Sequence, residues 1–343
     1  MEVIVINDAS TDNTGEIAEK FSEEHSYFKT IHRDSSVGGK GKSSALNNGF
    51  EYANGEILIC FDADYYPQID IIEKLTAYFI DPEVGAVQGR IVVYNEDATL
   101  VSRLVALERI GGYRVDQLAR DALGLIPQYG GTVGGFRRGL IEFLGGWDTN
   151  VLAEDTDLTF RVYLAGYKIR YVNEAECYEE AVENWRSYWR QRHRWAKGHM
   201  QCFFKHLLPL LKSDNLRIQE KVDGILLLSV YFVPIFIGLS WLFGAAIFFT
   251  HQTSWFDSIW TILPVFVYSS VGNFALFFEV GVGVYLDRRV RLSWLIPFLL
   301  LSFVFNTVVC FKAFWDVAFS KIVGKNVHEW TKTLHNGGHI RCL

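Results

Sequence analysis

Between Ile225 and Thr250 the chain carries no Asp, Glu, Lys or Arg. About 20 apolar residues cross the hydrocarbon core of a bilayer, so a stretch this long and bare of charge is expected to span one. A second stretch runs from Ile259 to Leu286 with Glu279 as its only charge, and a third from Leu292 to Phe311. The sequence predicts about three transmembrane helices here. The link "DRRVRL" holds Arg288, Arg289 and Arg291 and is expected to be cytoplasmic, whereas "HQTSWFDS" (251–258) has no Lys or Arg and is expected to face outward. The N-terminal part then lies in the cytoplasm, on a multi-pass protein of the plasma or inner membrane. Three spans would put the tail outside, yet it carries Lys321, Lys325 and Lys332. One re-entrant or interfacial segment would resolve that conflict.

The first 175 residues alternate strand and helix patterns. "EVIVIND" (2–8), "FKTIHR", "EILICFDAD" and "VGAVQGRIVVYN" read as strands. "NTGEIAEKFSEEH", "KSSALNNGFEYA" and residues 68–80 read as helices, the first with Asn13 and Glu16 at capping-box spacing. Apolar strands alternating with helices predict an α/β fold with a parallel sheet covered on both faces. Ligands of such sheets sit beyond the carboxyl ends of the strands, where Asp8 and the pair Asp62 and Asp64 fall.

Two carboxylates one residue apart raise each other's pKa unless a cation or water shares them. A solvated turn is the plain alternative. Carboxylate oxygens suit Mg²⁺ or Mn²⁺, which usually bridge to substrate phosphates. "GGKGKSS" (38–44) lacks the spacing of a nucleoside triphosphatase loop, and no G-x-G-x-x-G follows a strand, so a metal-held diphosphate fits better than a P-loop or hydride transfer. The net charge of −6 gives no support to nucleic-acid binding. Five scattered cysteines argue against a zinc site or a disulfide framework. No signal-peptide pattern opens the chain.

"VLAEDTDLTFR" (151–161) places Glu154, Asp155 and Asp157 at a helix start, where the helix dipole favours acids whatever their role. "WRQRHRW" (189–195) puts Gln191, Arg194 and Trp195 on one helical face. Trp185, Trp189, Arg192, Ala196, Met200, Phe203 and Leu207 trace a stripe beside clustered Arg and Lys, as on helices that lie at a membrane surface.

Taken together these stretches resemble the membrane-embedded, inverting family 2 glycosyltransferases, which include the cellulose, hyaluronan and poly-N-acetylglucosamine synthases. "INDASTDNT" resembles their nucleotide-binding segment, "GKSSALNNG" the loop beside the donor and "FDADYYP" the D-x-D motif. "GGTVGGFRR" (130–138) resembles the strand lining the acceptor pocket, "LAEDTDL" the T-E-D segment with Ala153 for Thr, and "QRHRW" the Q-x-x-R-W motif.

The resemblance implies a GT-A-type, Rossmann-like nucleotide-sugar domain over 1–180, interface helices over 181–222, a transmembrane region over 223–320 and a polar tail over 321–343. It implies Mg²⁺ or Mn²⁺ on Asp64 with Asp62. Asp8, Lys42, Asp62 and Arg194 would bind a UDP-sugar donor, and Asp155 would be the general base. Glu154, Gln191 and Trp195 would bind a glycan acceptor. Further partners would be the lipid bilayer and an accessory membrane subunit, with no nucleic acid. Family members usually begin with an earlier strand, so the domain is expected to lack its first strand, to leave the strand ending at Asp8 as an exposed edge, and to bind UDP weakly. An inactive fragment or a non-catalytic subunit of a glycan-synthesis complex is the competing reading. A transporter would explain the spans but not the motifs.

Overall fold

The computed structural model describes residues 1–36, 38–250 and 258–323. The N-terminal part alternates as the sequence predicts: β1 (Val3–Asp8), α1 (Thr14–Glu24), β2 (Phe28–Arg33), α2 (Lys42–Tyr52), β3 (Ile57–Cys60), the short β4 (Tyr66–Pro67), α3 (Ile71–Thr76) and β5 (Val84–Val93). A helical segment follows without a break. It consists of α4 (Leu100–Arg109), a π-helical stretch (Ile110–Gln117) and α5 (Leu118–Ala122). Then come β6 (Gly134–Arg137), α6 (Arg138–Leu144), α7 (Glu154–Leu164), β7 (Lys168–Glu179), α8 (Trp185–Lys212), α9 (Ile218–Ser229), α10 (Val233–Phe249), α11 (Ile259–Leu286), a 3-10 segment (Val290–Phe298) and α12 (Leu299–Val323).

All ten residues of β5 are buried, which is why its near-continuous apolar run forms the middle of a sheet. The sheet order is β3-β6-β5-β7-β4, and β1 pairs with β2 alone in a second, parallel sheet. The expected all-parallel sheet is corrected at two strands, the first being the short β4, which runs antiparallel to β7. β5 and β7 are parallel, but β6 runs antiparallel to both β3 and β5. After α5 the chain returns to the carboxyl end of β3 and the middle of β5, so β6 enters the sheet pointing the other way. Cys60 and Gln88 both pair with Gly134, which sets the loop before β6 at the end of β3 and beside the middle of β5.

The expected capping box on α1 is not formed. Asn13 makes no side-chain cap; Asp12 Oδ1 instead accepts from the Thr14 amide (3.1 Å) and hydroxyl (2.5 Å). An Asx turn one residue earlier has taken the helix start. On α4 the box is present, between Thr99 and Ser102. On α8, Asn184 Oδ1 accepts from the Ser187 amide (2.9 Å), and a helix of 28 residues follows.

The C-terminal helices pack directly on this body. Leu104, Leu107 and Ile110 bury against Val280, Val284, Leu292, Leu295 and Leu299. Ala196 and Met200 of α8 pack with Ile235, Cys310, Ala313 and Val317. The basic link also docks. Asp287 pairs with Arg90 and Arg114, Arg289 with Glu96, and Arg291 with Glu96 and Asp97. Among the described residues one helical run, Val290–Ser320, is long and apolar enough to cross a bilayer; α9 and α10, bent by 64°, make a second if they form one span. The third expected span falls within Val290–Ser320 and the first across the bent pair α9 and α10; the second falls on α11, whose Phe274–Leu286 part is a shorter apolar helix. The outward link and nearly all of the polar tail lie outside the described residues.

Candidate active site

The glycine-rich loop organises the site. Gln88, fully buried on β5, accepts from the Gly130 amide (2.7 Å) and donates to the Thr132 carbonyl (3.1 Å). Thr132 Oγ1 in turn accepts from the Asp62 amide (2.9 Å), which fixes the turn that carries Asp62 and Asp64. Gly131 has φ +87°, and a Cβ there would stand 3.3 Å from Asp155 Oδ2. Only glycine lets the loop take that conformation and come so close to the carboxylate. A Cβ on Gly134 would strike the Tyr129 ring.

Tyr129 marks where the parts converge. Burial first, then the charges of Cys60, Asp62, Glu154 and Asp155, hold its phenol well above the usual range. The β3 end and the α7 start therefore face one another across this ring. Asp155 Oδ1 accepts from the Thr156 amide (2.6 Å), and Thr156 Oγ1 accepts from Gln128 Nε2 (2.6 Å) and lies 3.2 Å from His199 Nε2. Asp157, by contrast, is fully buried among Arg161, Lys205 and His206 and ties α7 to α8. It is structural, and only the first two acids of "EDTD" are placed for chemistry.

Lys42 starts α2 and pairs with Asp62; the two side chains are 24% and 34% exposed. Burial alone would lower the Lys42 pKa, but Asp62 and Glu154 raise it on balance, so the ammonium is held charged. Asp8 ends β1 in the other sheet and pairs with Arg33, with Gly38 of the glycine–lysine loop packed against it. Arg194 is close enough to act on Glu154. Trp195 is half-buried against the guanidinium carbons of Arg192 (4.5 Å) and Arg109 (5.3 Å). Gln191 is half-buried on the same helix. Sequence reasoning missed Gln88, Gln128, Thr132 and His199, whose links to Thr132, Thr156, Asp62 and Thr156 span 44, 28, 70 and 43 residues. An open depression of about 540 Å³ lined by Asn47, Trp147, Asp148, Arg161 and Lys205 contains none of the expected metal, donor, acceptor or base residues, and its Lys205 is neutralised by Asp148 and Asp157.

No group of three or more His, Cys, Asp or Glu converges among the described residues. A closed protein cage for a metal is therefore not what this site offers. Exposed Asp64, with Asp62 beside Lys42, fits a hard cation that keeps waters and takes further ligands from a diphosphate.

Burial, with Asp155 adding to it, pushes the Glu154 carboxyl up to about 7, against the pull of Lys42 and Arg194. An acid whose folded pKa is raised binds more protons folded than unfolded, so its contribution to stability falls as pH rises from about 4.5 to about 7. Glu154→Gln, which stays neutral, is expected to raise the melting temperature at pH 8 relative to the unsubstituted protein and to change it little at pH 4. Melting curves at both pH values check this; an equal shift at both would remove the titration argument.

The solved mannosyltransferase PcManGT from Pyrobaculum calidifontis, in complex with GDP-Man and Mn²⁺, shares this fold: TM-score 0.58, 21% identity, covering 93% of this chain and 78% of that one. Residues 1–144 match the family model described as Glycosyl transferase family 2. The chain is similar to the probable glycosyltransferase YdaM of Bacillus subtilis (strain 168), 41% identical over 224 residues, which is 64% of this chain and 52% of the relative. It is also similar to poly-beta-1,6-N-acetyl-D-glucosamine synthase of Staphylococcus aureus (strain COL), 27% identical over 245 residues, 69% of this chain and 57% of the relative. The chain thus spans little more than half the length of these curated relatives. The matched segment, residues 1–144, is thus similar in sequence to family 2 glycosyltransferases.

Proposed function

We propose that the chain is an inverting glycosyltransferase that moves a sugar from a UDP-sugar to a growing glycan at the membrane, as a polysaccharide synthase does. The observation that carries this reading is the approach of Asp155 to the Gly131 backbone while the adjacent Thr132 holds the Asp62 turn. One loop thereby sets a base against a candidate diphosphate site. The similarity to the Staphylococcus aureus synthase supports a polymer product, and the GDP-Man and Mn²⁺ named with PcManGT support a metal-held nucleotide sugar.

Asp155 accepts the proton of an acceptor hydroxyl as that oxygen attacks the anomeric carbon. The bond from that carbon to the diphosphate oxygen breaks, the nucleoside diphosphate leaves with the electron pair, and the configuration inverts. Mg²⁺ or Mn²⁺ bound at Asp64 and Asp62 would supply neutralisation of the departing diphosphate. Lys42 and Arg194 add fixed positive charge on the same side, Arg194 as a planar donor fork. Asp8 reaches the nucleoside from β1. Glu154 and Gln191 position the acceptor, and Trp195 offers it an indole face.

In this reading residues 1–180 are the catalytic domain, 181–222 the interface helices, 223–320 the membrane region and 321–343 a polar tail. The docking of Asp287, Arg289 and Arg291 on the sheet domain supports a cytoplasmic link on the catalytic side. An accessory membrane subunit is a further partner. An inactive fragment or a non-catalytic subunit of a glycan-synthesis complex is the rival reading.

The test is nucleoside diphosphate release from a panel of UDP-sugars and GDP-mannose, in nanodiscs, with Mg²⁺ or Mn²⁺. Metal-dependent release from one donor is expected; none from any donor favours the inactive fragment. Trp195→Ala is expected to lower transfer to a glycan acceptor by about tenfold or more while UDP affinity stays near the unsubstituted value, since an indole–ring contact carries roughly 1–3 kcal/mol and a diphosphate makes no use of it. Acceptor titrations and calorimetry with UDP separate the two.

A further inference from the structure

Trp195 touches the chain through two arginines, and both lead to the last two residues of α4. Arg192, which lies against Trp195, is paired with Glu108. Tyr188 donates to the other oxygen of Glu108 (2.7 Å), and its ring also faces Arg192 (4.8 Å). The next residue, Arg109, lies against Trp195 itself. Arg109 is held in a bidentate fork by Glu179, Nε to Oε1 at 2.5 Å and Nη2 to Oε2 at 3.0 Å. Glu179 ends β7, is 5% exposed, and accepts from the Tyr65 hydroxyl (2.5 Å). Tyr65 follows Asp64 directly. The α-helix turns to π-helix immediately after Arg109, a local change common at functional positions.

From this geometry we infer that Glu108 and Arg109 are positioning residues. They fix the plane of Trp195, and through Glu179 and Tyr65 they tie that platform to the turn carrying Asp62 and Asp64. The inference rests on the reading of Trp195 as the acceptor platform. A guanidinium set flat by a carboxylate fork offers an aromatic ring a planar partner that an ammonium cannot reproduce. Each cation–π contact of this partly desolvated kind is comparable in size to a good hydrogen bond, so two of them outweigh free rotation of one indole. Tyr65 brings the donor turn into the same network: its hydroxyl is the link, and its ring packs beside the sheet core.

The chain of contacts predicts effects at a distance. Arg109→Lys keeps the charge and loses the fork. It is expected to raise the KM for the acceptor by about tenfold, with a smaller change in kcat and in the KM for the donor. Tyr65→Phe, which removes one oxygen beside the donor motif, is expected to raise the acceptor KM in the same direction by a few-fold. The two changes together are expected to be less than multiplicative, because both act through Glu179. The assay uses the full chain in nanodiscs, the donor found in the release panel, and an oligomer of β-1,6-linked N-acetylglucosamine as acceptor probe. Melting curves exclude variants that do not fold, and Tyr65→Phe serves as the test should Arg109→Lys be one of them.

If Trp195→Ala leaves the acceptor KM of an active enzyme unchanged, the platform reading falls and the inference with it. If Trp195→Ala raises it while Arg109→Lys and Tyr65→Phe do not, or if the last two multiply, the positioning network alone is overturned.

Discussion

Asp155→Asn is expected to cut turnover by two or more orders of magnitude while nucleotide binding stays close to the unsubstituted protein. General-base loss is typically worth 10²–10⁴ in rate, and a carboxamide cannot take the proton of an attacking hydroxyl at neutral pH. The substitution is mild in every other respect. Asp155 Oδ1 is occupied by the Thr156 amide, and Asn retains an oxygen for that bond. The neighbouring Gly131 leaves room for the amide nitrogen at the position of Oδ2. Folding is therefore expected to survive, and melting temperature with UDP calorimetry checks it. Steady-state turnover equal to the unsubstituted enzyme would remove Asp155 from the mechanism. Glu154 is the natural control. It stands one residue earlier, and its carboxyl, pushed up to about 7 by burial and by Asp155, is only partly ionised near neutrality.

How these two acids differ could not be read from "LAEDTDL". The sequence predicts a helix start with three acids, and α7 begins at Glu154 as predicted. Which acid faces the glycine loop and which one is buried against Lys205 and His206 depends on α8, which lies some 50 residues further on. Period and composition are local signals. They made β5, α7 and α8 legible, along with the placement of carboxylates at strand ends. Bonds across long separations were not legible. Gln88 reaches the Gly130 loop, Thr132 reaches Asp62, and Tyr65 reaches Glu179 across 114 residues. Each of these polar residues looks like any other in a strand or loop until the sheet closes. The direction of β6 was hidden for a related reason. A four-residue strand rich in glycine carries no periodicity, and its orientation is set by the return from α5. In the C-terminal third, hydropathy registers apolar length but not the 64° bend between α9 and α10.

The second large effect concerns the metal. Asp64→Ala is expected to abolish the dependence of donor binding on Mg²⁺ or Mn²⁺. The argument starts from how little protein the site offers a cation. With no cluster of three ligating side chains among the described residues, each carboxylate carries a large share of whatever anchoring the protein provides. Asp62 is already paired with Lys42, so part of its charge is spent before a cation arrives. Asp64, the more exposed of the two, is the carboxylate that a cation keeping its waters reaches more readily. Without it a hard cation has one compromised oxygen ligand, and the diphosphate gains nothing from the ion that it would not gain in water. Asp62→Ala should act differently. It removes a weaker ligand and at the same time releases the Lys42 ammonium, whose charge can then meet the diphosphate directly. Its metal-free UDP affinity is therefore expected to equal or exceed that of the unsubstituted protein, whereas that of Asp64→Ala should not rise to the same degree. Calorimetry with UDP, with and without each metal, gives all the affinities required. Binding by the unsubstituted protein that ignores the metal would show that the D-x-D pair does not hold one. A metal response retained in Asp64→Ala and lost in Asp62→Ala would show that the anchoring carboxylate is the one beside Lys42.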